Sequence, residues 1–379
     1  PLTEILRRWG KYGGVLFPHD VPAQDFSSAV LPSDFSDLER LVERMRTGGL
    51  ELLFVHSVNP LYELPRWTGF LDALENVPTV VSFSPMVDET SVRCDWLLPD
   101  HTYLEGWGYQ VVAGGGDRPT VSGLQPVVEP LYDTRSSTDV LLALASRLGG
   151  EVAQALPWPD EAAFLEEASA QLFGSSLGAY EAQTAGGFWS RWRQFGGWWS
   201  EKPILGEPEA TIPTGPLRIE QPQFSGSEEE FPLHLVPYES ISLSEGRGAN
   251  QPWLQELPDP MTTARWNTWV EVNPLTATQL GVRDNDRVRI VSLEGQMEAS
   301  VVVYPGIRPD AVAIPMGQGH SDYGRFAQGR GANVVGLIAP LEPGRLAWAS
   351  TRVRLERVPG AKPLARLESL DGQGRESLR

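Results

Sequence analysis

Between residues 36 and 98 the apolar positions switch between two periods. Ser36 to Thr47 carries apolar side chains at 38, 41, 42 and 45, the stripe of one helical face, closed by Gly48-Gly49 with Ser36 or Asp37 as the N-cap. Leu50 to Val55 is then a short, nearly continuous apolar run, as expected of a parallel strand covered on both faces. Asn59-Pro60 marks a loop, Leu64 to Glu75 reads as a helix stopped by Val77-Pro78, and Thr79 to Phe83 is a second apolar strand. An acidic helix start at Asp88-Glu89-Thr90 and a third strand at Asp95 to Leu98 complete β-α-β-α-β, the pattern of a doubly wound parallel sheet. Such sheets bind ligands at the C-terminal ends of their strands, so Ser57-Val58-Asn59-Pro60, Ser84-Pro85 and Pro99-Asp100 form the candidate face.

Thr138 to Leu148 is another apolar helix, ended by Gly149-Gly150, and residues 151–200 carry helical patterns with an aromatic run at Phe188-Trp189, Trp192, Phe195 and Trp198-Trp199. With no basic surround, these rings read as helix packing or a partner interface before they read as a nucleic-acid stacking platform. Residues 201–230, rich in Pro, Gly and Glu, read as a linker. From Phe231 the pattern turns to β: 233–236, 268–272, 286–291, 297–303 and 311–314 alternate or run apolar, broken by Glu294-Gly295 and Pro305-Gly306 turns. Several short strands around one helix, Pro274 to Leu280, suggest a small closed barrel. The expected organisation is an α/β part over 1–150, a helical Trp-rich segment and linker over 151–230, a β-barrel domain over 231–357, and a polar tail or linker over 358–379.

Composition narrows the function classes. The 379 residues suit two or three domains. The chain has 31 basic and 49 acidic residues, a net charge of −18, and no Lys/Arg run, which argues against a broad nucleic-acid footprint. Its single cysteine rules out an intramolecular disulfide and cannot supply the thiolates of an iron–sulfur cluster or a Cys-rich zinc site. No run of 18 apolar residues is present, so no spanning helix is expected; the start at Pro1-Leu2-Thr3-Glu4, without Met or signal-peptide layout, reads as a processed or excised piece. The 38 Gly and 32 Pro are dispersed between apolar runs, the pattern of many ordered loops.

His19, His56, His101 and His234 have no partner at ligand spacing and read as structural. The acidic residues Asp88-Glu89, Asp95, Asp100 and Glu105 could suggest carboxylate acid–base chemistry, but paired carboxylates are common at helix starts. Gly246-Arg247-Gly248-Ala249-Asn250 and Gly329-Arg330-Gly331-Ala332-Asn333 repeat the same five residues; they are either anion cradles or tight turns whose glycines take positive φ.

Two segments together resemble one superfamily. Val80 to Gly108, with its Glu89-Thr90, Cys94-Asp95-Trp96-Leu97-Leu98-Pro99 and Glu105-Gly106-Trp107-Gly108, is similar to the molybdopterin oxidoreductases related to dimethyl-sulfoxide reductase, formate dehydrogenase and polysulfide reductase. Asn59-Pro60 stands at that family's Asn-Pro loop. The stretch from Leu233 through 247–250, Val270-Glu271-Val272-Asn273-Pro274, 281–286 and Gly319-His320 to Asn333 resembles its C-terminal dinucleotide-binding domain. The resemblance covers roughly residues 35–150 and 230–357. It implies a Rossmann-like α/β sheet domain followed by a double-psi β-barrel-like domain. In the family these parts hold a pair of pterin guanine dinucleotides with molybdenum or tungsten; by that resemblance Asn59, Ser84, Glu105, Arg247, Asn250, His320 and Asn333 are the cofactor-binding candidates, with no catalytic or metal-ligating residue in this stretch.

Three departures qualify the resemblance. No counterpart of the Cys-rich cluster segment or of the metal-ligand domain is present, and Cys94, at the usual Ala position, is expected to pack as a small apolar group. Ser84 stands where many members place an Asp that accepts from guanine. Ser350 stands where cofactor-bound relatives often have a Lys. Together they resemble the cofactor-free branch found in alternative complex III, with the polysulfide-reductase group close by. That branch implies a scaffold subunit of a membrane-associated quinol-oxidising complex at the periplasmic face, without a catalytic centre or molybdenum of its own, beside an iron–sulfur domain or subunit, membrane subunits and cytochrome c subunits. The alternative is the cofactor-embracing half of an active molybdenum or tungsten bis-pterin oxidoreductase of the polysulfide or tetrathionate reductase type.

Overall fold

A computed structural model describes residues 34–112, 117–175, 177–203, 222–341 and 345–367. The N-terminal Pro1-Leu2-Thr3-Glu4, His19, most of the expected linker (204–221) and the end of the expected tail (368–379) lie outside the described residues. The rest falls into two units. One joins 34–97 to 222–367, and the other is 98–203. The division differs from the expected boundary at 150, because strands beyond 97 pair with strands near 199 and not with the preceding sheet.

The joined unit starts with helix α1 (Phe35–Arg46). Its N-cap is Asp34, not Ser36 or Asp37: the Asp34 carboxylate accepts from the Asp37 N–H at 3.0 Å while Asp37 accepts from the Asp34 N–H at 3.0 Å, a reciprocal capping box. Strands β1 (Leu52–Val55), β2 (Thr79–Ser82) and β3 (Trp96–Leu97) follow and pair in parallel in the order β1-β2-β3. The helix expected over 64–75 is instead three pieces, Pro60–Glu63, a 3-10 turn Arg66–Thr68, and Phe70–Leu74. Pro65 forces Leu64 out of the helical region, and Gly69 sits at φ 66°. Val42, Met45, Phe70, Leu74, Val55 and Val80 pack into one core. Leu52, Phe54 and Trp96 remain exposed, so β1 is not covered on both faces as its composition suggested. Cys94 is half-buried against this core, and burial together with Asp88 and Asp95 pushes its thiol up to about 11, the state of an inert packing residue.

In the second unit, β4 (Gly108–Val111), β5 (Thr120–Leu124) and β6 (Gly197–Trp199) form an antiparallel sheet. Helices Ser137–Leu148, Glu161–Ala170 and Ala185–Phe195 lie in the same unit. The helical pattern expected to run to 200 stops at Gly196 and Gly197, at φ 76° and 125°, and Trp198 pairs with Val121 in the sheet. Phe188, Trp189, Trp192 and Trp198 are buried together with Leu165 and Leu172. These four rings of the aromatic run are therefore a core, while Phe195 stays exposed.

The rest of the joined unit is built on β7 (Leu233–Tyr238), β8 (Ala264–Arg265), β9 (Trp269–Val272), β10 (Asp286–Val291), β11 (Gln296–Val303), β12 (Ala311–Pro315), β13 (Pro340–Leu341), β14 (Arg345–Leu346), β15 (Arg352–Ala361) and β16 (Ala365–Arg366). Six of these close a barrel in the order β10-β11-β9-β12-β7-β15 around Val270, Val288, Ile290, Val301, Val312, Ile314 and Leu235. The helix Pro274–Leu280 sits as expected, capped by Asn273 and stopped at Gly281, φ 65°. The polar tail expected from 358 is a correction: β15 continues to Ala361, Val358 pairs with Arg287, and β16 pairs with β8, because alternation along 352–358 (Val353 and Leu355 inward) lets charged residues face outward from a barrel strand. Among the described residues no helix is long and apolar enough to cross a membrane.

Candidate functional site

Four strand ends of the joined unit frame a cleft of about 220 Å³. β1 and β2 are parallel neighbours, so the loops leaving them, with Ser57 and Asn59 on one and Ser84 and Asp88 on the other, emerge at one edge. β7 and β12 are likewise parallel, with Tyr238 opposite Pro315, so the loops carrying Glu245, Gly246 and Arg247 and carrying His320 and Tyr323 leave the barrel on one rim. Ser57, at φ 56°, turns the first loop sharply.

The loops are tied by one carboxylate. Glu89 accepts from the Asn59 amide at 2.7 Å, from the Ser321 N–H at 2.7 Å and from the Asp322 N–H at 3.2 Å, and His320 Nδ1 lies 3.0 Å from it. Burial alone would push this carboxyl up; the His320 and Asn59 hydrogen bonds outweigh it and hold the group at about 2, against an ordinary 4.5. His320 Nε2 faces the Gly246 carbonyl at 3.3 Å, so both ring nitrogens point at oxygen acceptors. The ring lies flat on Tyr62, 3.6 Å between centroids and 9° between planes. Tyr62 donates to the Gln318 carbonyl at 3.0 Å, and burial, with Glu89 and Glu63 nearby, pushes its hydroxyl well above the usual range. Asn59 completes the tie by accepting from the Thr90 hydroxyl at 2.7 Å.

The residues singled out from sequence divide. Asn59, Ser84, Arg247 and His320 line the cleft. Asn333 stands behind it, donating to the Tyr62 carbonyl at 2.8 Å and capping the turn at Val335. Asn250 braces the loop after His320 by accepting from the Phe326 N–H at 3.1 Å. Glu105 belongs to the other unit, where it accepts from Thr102 and from the Leu131 N–H. Ser350 does not line the cleft, and its carbonyl accepts from the Ser225 N–H at 2.8 Å. The repeated five-residue loops are tight turns: Gly246, Gly329 and Gly331 take φ of 132°, 69° and 55°. Their arginines part company, Arg247 reaching the cleft and Arg330 lying 5.1 Å over the Trp266 ring. Tyr62, Glu63, Glu245 and Tyr323 were not singled out from sequence. Tyr62 and Glu63, in the short helix after Asn59-Pro60, and Glu245, just before Gly246-Arg247, carried only the signal of standing beside those loops.

Pyrophosphate recognition asks for cations and free N–H donors. Here the cleft sets Glu63, Asp88 and Glu245 against the single guanidinium of Arg247. Burial pushes the Glu63 carboxyl up, and Arg247 offsets only part of that rise. The Ser321 and Asp322 N–H groups are already taken by Glu89. The Ser84 hydroxyl donates at 2.6 Å to the Met86 carbonyl, within its own loop. This donor and charge set does not fit a pterin dinucleotide. Among the described residues no group of three or more His, Cys, Asp or Glu is arranged to hold a metal.

Residues 243–344 match the family model of the molydopterin dinucleotide binding domain. Over 89% of its length the chain is 28% identical to the menaquinone reductase, molybdopterin-binding-like subunit, of Nitratidesulfovibrio vulgaris, covering 46% of that protein. It is 29% identical, over 82% of its length, to the molybdopterin-containing subunit of the arsenate respiratory reductase of Shewanella sp., covering 45% of it. It is 27% identical, over 69% of its length, to the corresponding thiosulfate reductase subunit of Salmonella typhimurium, covering 37% of it. The chain thus spans less than half the length of these relatives. The acetylene hydratase of Pelobacter acetylenicus shares the fold with a TM-score of 0.61 at 16% identity, over 84% of this chain and 46% of that one.

Proposed function

We propose that this chain, which matches the C-terminal portion of the molybdopterin oxidoreductases, serves as a cofactor-free scaffold part of a quinone-linked respiratory complex. The observation that carries this reading is the lining of the cleft: three carboxylates against one arginine, with Ser84 bonded to its own loop. A dianionic linker placed there would meet net negative charge in a partly desolvated site, where repulsion is strong. The loops are held to one another by the Glu89, His320 and Asn59 bonds, with the Ser321 and Asp322 N–H groups already donating to Glu89. Similarity to a menaquinone reductase subunit whose own name carries the suffix "-like" supports the same reading. On this reading the barrel is the double-psi type, the parallel sheet is Rossmann-like, and iron–sulfur and membrane subunits are the partners. The assembly then stands at the periplasmic face of the cytoplasmic membrane.

The test is metal analysis with pterin extraction on the full-length protein purified in its native assembly. Iron without molybdenum, tungsten or pterin is the expected result. Stoichiometric molybdenum or tungsten with guanine dinucleotide would overturn the scaffold reading and establish the active bis-pterin oxidoreductase instead.

A further inference from the structure

On the barrel, away from the cleft lining, arginines and aromatic rings interleave on one surface. Arg325 lies 4.5 Å over the Phe326 ring and Arg330 5.1 Å over Trp266, whose ring is 6.5 Å from that of Phe326. The short helix Pro252–Glu256 flanks them: Glu256 accepts from the Trp266 indole at 2.8 Å, and Asn250, just before the helix, accepts from the Phe326 N–H at 3.1 Å. That helix carries Trp253, 66% exposed, and the following loop carries Met261, 65% exposed.

Two further observations separate this surface from ordinary exposure. The first is charge. In a chain of net charge −18, Arg325 and Arg330 are exposed and make no ion pair with a described carboxylate, while the acids of the flanking helix and loop are used internally. Glu256 binds Arg265 and Trp266, and Asp259 accepts from Met261, Thr262 and the Thr262 hydroxyl. The second is backbone strain. Thr263 and Trp266, a β-branched and a bulky residue, sit at φ 58° and 59°, a conformation that such residues rarely adopt and that persists only where surrounding structure or function enforces it.

We propose that this Trp253–Trp266–Arg325–Arg330 surface is the docking site for an acidic segment of a partner protein subunit, with Trp253 as the apolar anchor. Arginine stacked on an aromatic ring keeps its in-plane N–H edge free, the geometry that receives a carboxylate bidentately. Trp and Arg dominate the energetic centres of interfaces, and the strained, hydrogen-bonded loop presents them already ordered, so little freedom is lost on binding. Charge complementarity selects the chemistry of the occupant, an acidic segment meeting two exposed cations on a chain of net charge −18, and the reading of the chain as one subunit of an assembly makes that segment a partner's. The inference rests on the reading of the chain as a subunit of an assembly.

The test uses the full-length protein in its purified complex. Arg325→Glu together with Arg330→Glu is expected to raise the dissociation constant of a partner subunit at least about tenfold, with a weaker salt dependence, while the isolated protein stays cooperatively folded with only a small drop in thermal midpoint from the lost ring contacts. Arg325→Lys with Arg330→Lys, keeping charge but losing the planar fork, is expected to fall between. A benzophenone amino acid in place of Trp253 is expected to crosslink to a Glu/Asp-rich segment of a partner. Unchanged dissociation constants, or crosslinks confined to lipid, to a second copy or to none, overturn the proposal. Purification of the unaltered protein as a lone chain overturns this proposal and the functional reading together, whereas molybdenum in an assembly still sensitive to the two arginines overturns only the functional reading.

Discussion

Glu89 concentrates the energetics of the cleft in one residue. Its carboxyl titrates near 2 when folded and near 4.5 when free, so the unfolded chain binds the proton more tightly. The stabilisation it contributes is fully present above pH 4.5 and is lost as pH falls toward 2, an amount on the order of 2–3 kcal/mol. Glu89→Gln removes that dependence and leaves His320 facing a neutral amide; thermal midpoints measured between pH 2 and 6 are expected to converge for the two proteins at the acid end and to diverge above pH 4.5. Gly246 provides a second residue-scale test. At φ 132°, a Cβ there would lie 2.7 Å from the Tyr62 ring and 2.8 Å from His320 Nε2, so Gly246→Ala is expected to cost about 2–4 kcal/mol. Gly329→Ala, at φ 69° with nothing within 4 Å of the added carbon, is expected to cost about 1 kcal/mol. Equal losses in denaturant titrations of the two variants would show that the stacked rings do not depend on the close approach.

At the scale of elements, the barrel strands were the most legible part. Asp286–Val291 and Pro274–Leu280 form over the expected residues, because alternation, the Asn273 cap and the Gly281 stop all act locally. Elements set by a distant partner were not legible. Trp198 and Trp199 continue a helical pattern by composition, but two left-handed glycines and pairing with β5 put them in a sheet. The helix expected over 64–75 failed for a local reason, Pro65 and Gly69, that apolar spacing alone does not register. Truncation of a barrel residue tests where the unit's stability resides. Ile290→Ala, fully buried in the closed barrel, is expected to lower unfolding free energy by about 2–5 kcal/mol, while Leu293→Ala, exposed in the following turn, is expected to change it by less than about 0.5 kcal/mol.

For the whole molecule, the scaffold reading predicts that substitutions at Ser84 and Ser350 alone do not rebuild a dinucleotide site. Ser84→Asp with Ser350→Lys leaves Glu63, Asp88 and Glu245 in the cleft, and Ser350 does not line it. The expected outcome is no pterin in the purified double variant, and pterin recovered from it would show that two contacts had sufficed. By itself the sequence carried the resemblance to the molybdopterin oxidoreductases, in the order of its motifs, and, through local periodicity and composition, the parallel strands, the barrel strands and the lack within these 379 residues of a thiolate set for a cluster. Only the tertiary structure decided that Asn59, Ser84, Arg247 and His320 share a cleft while Glu105 belongs to another unit. It alone decided that Glu89 occupies the N–H groups of Ser321 and Asp322, 232 residues and more away in the chain, and that Arg330 left its twin Arg247 to stack on Trp266. Charge balance within a cleft is a property of which strand ends the topology brings to one rim, and no linear pattern carries it.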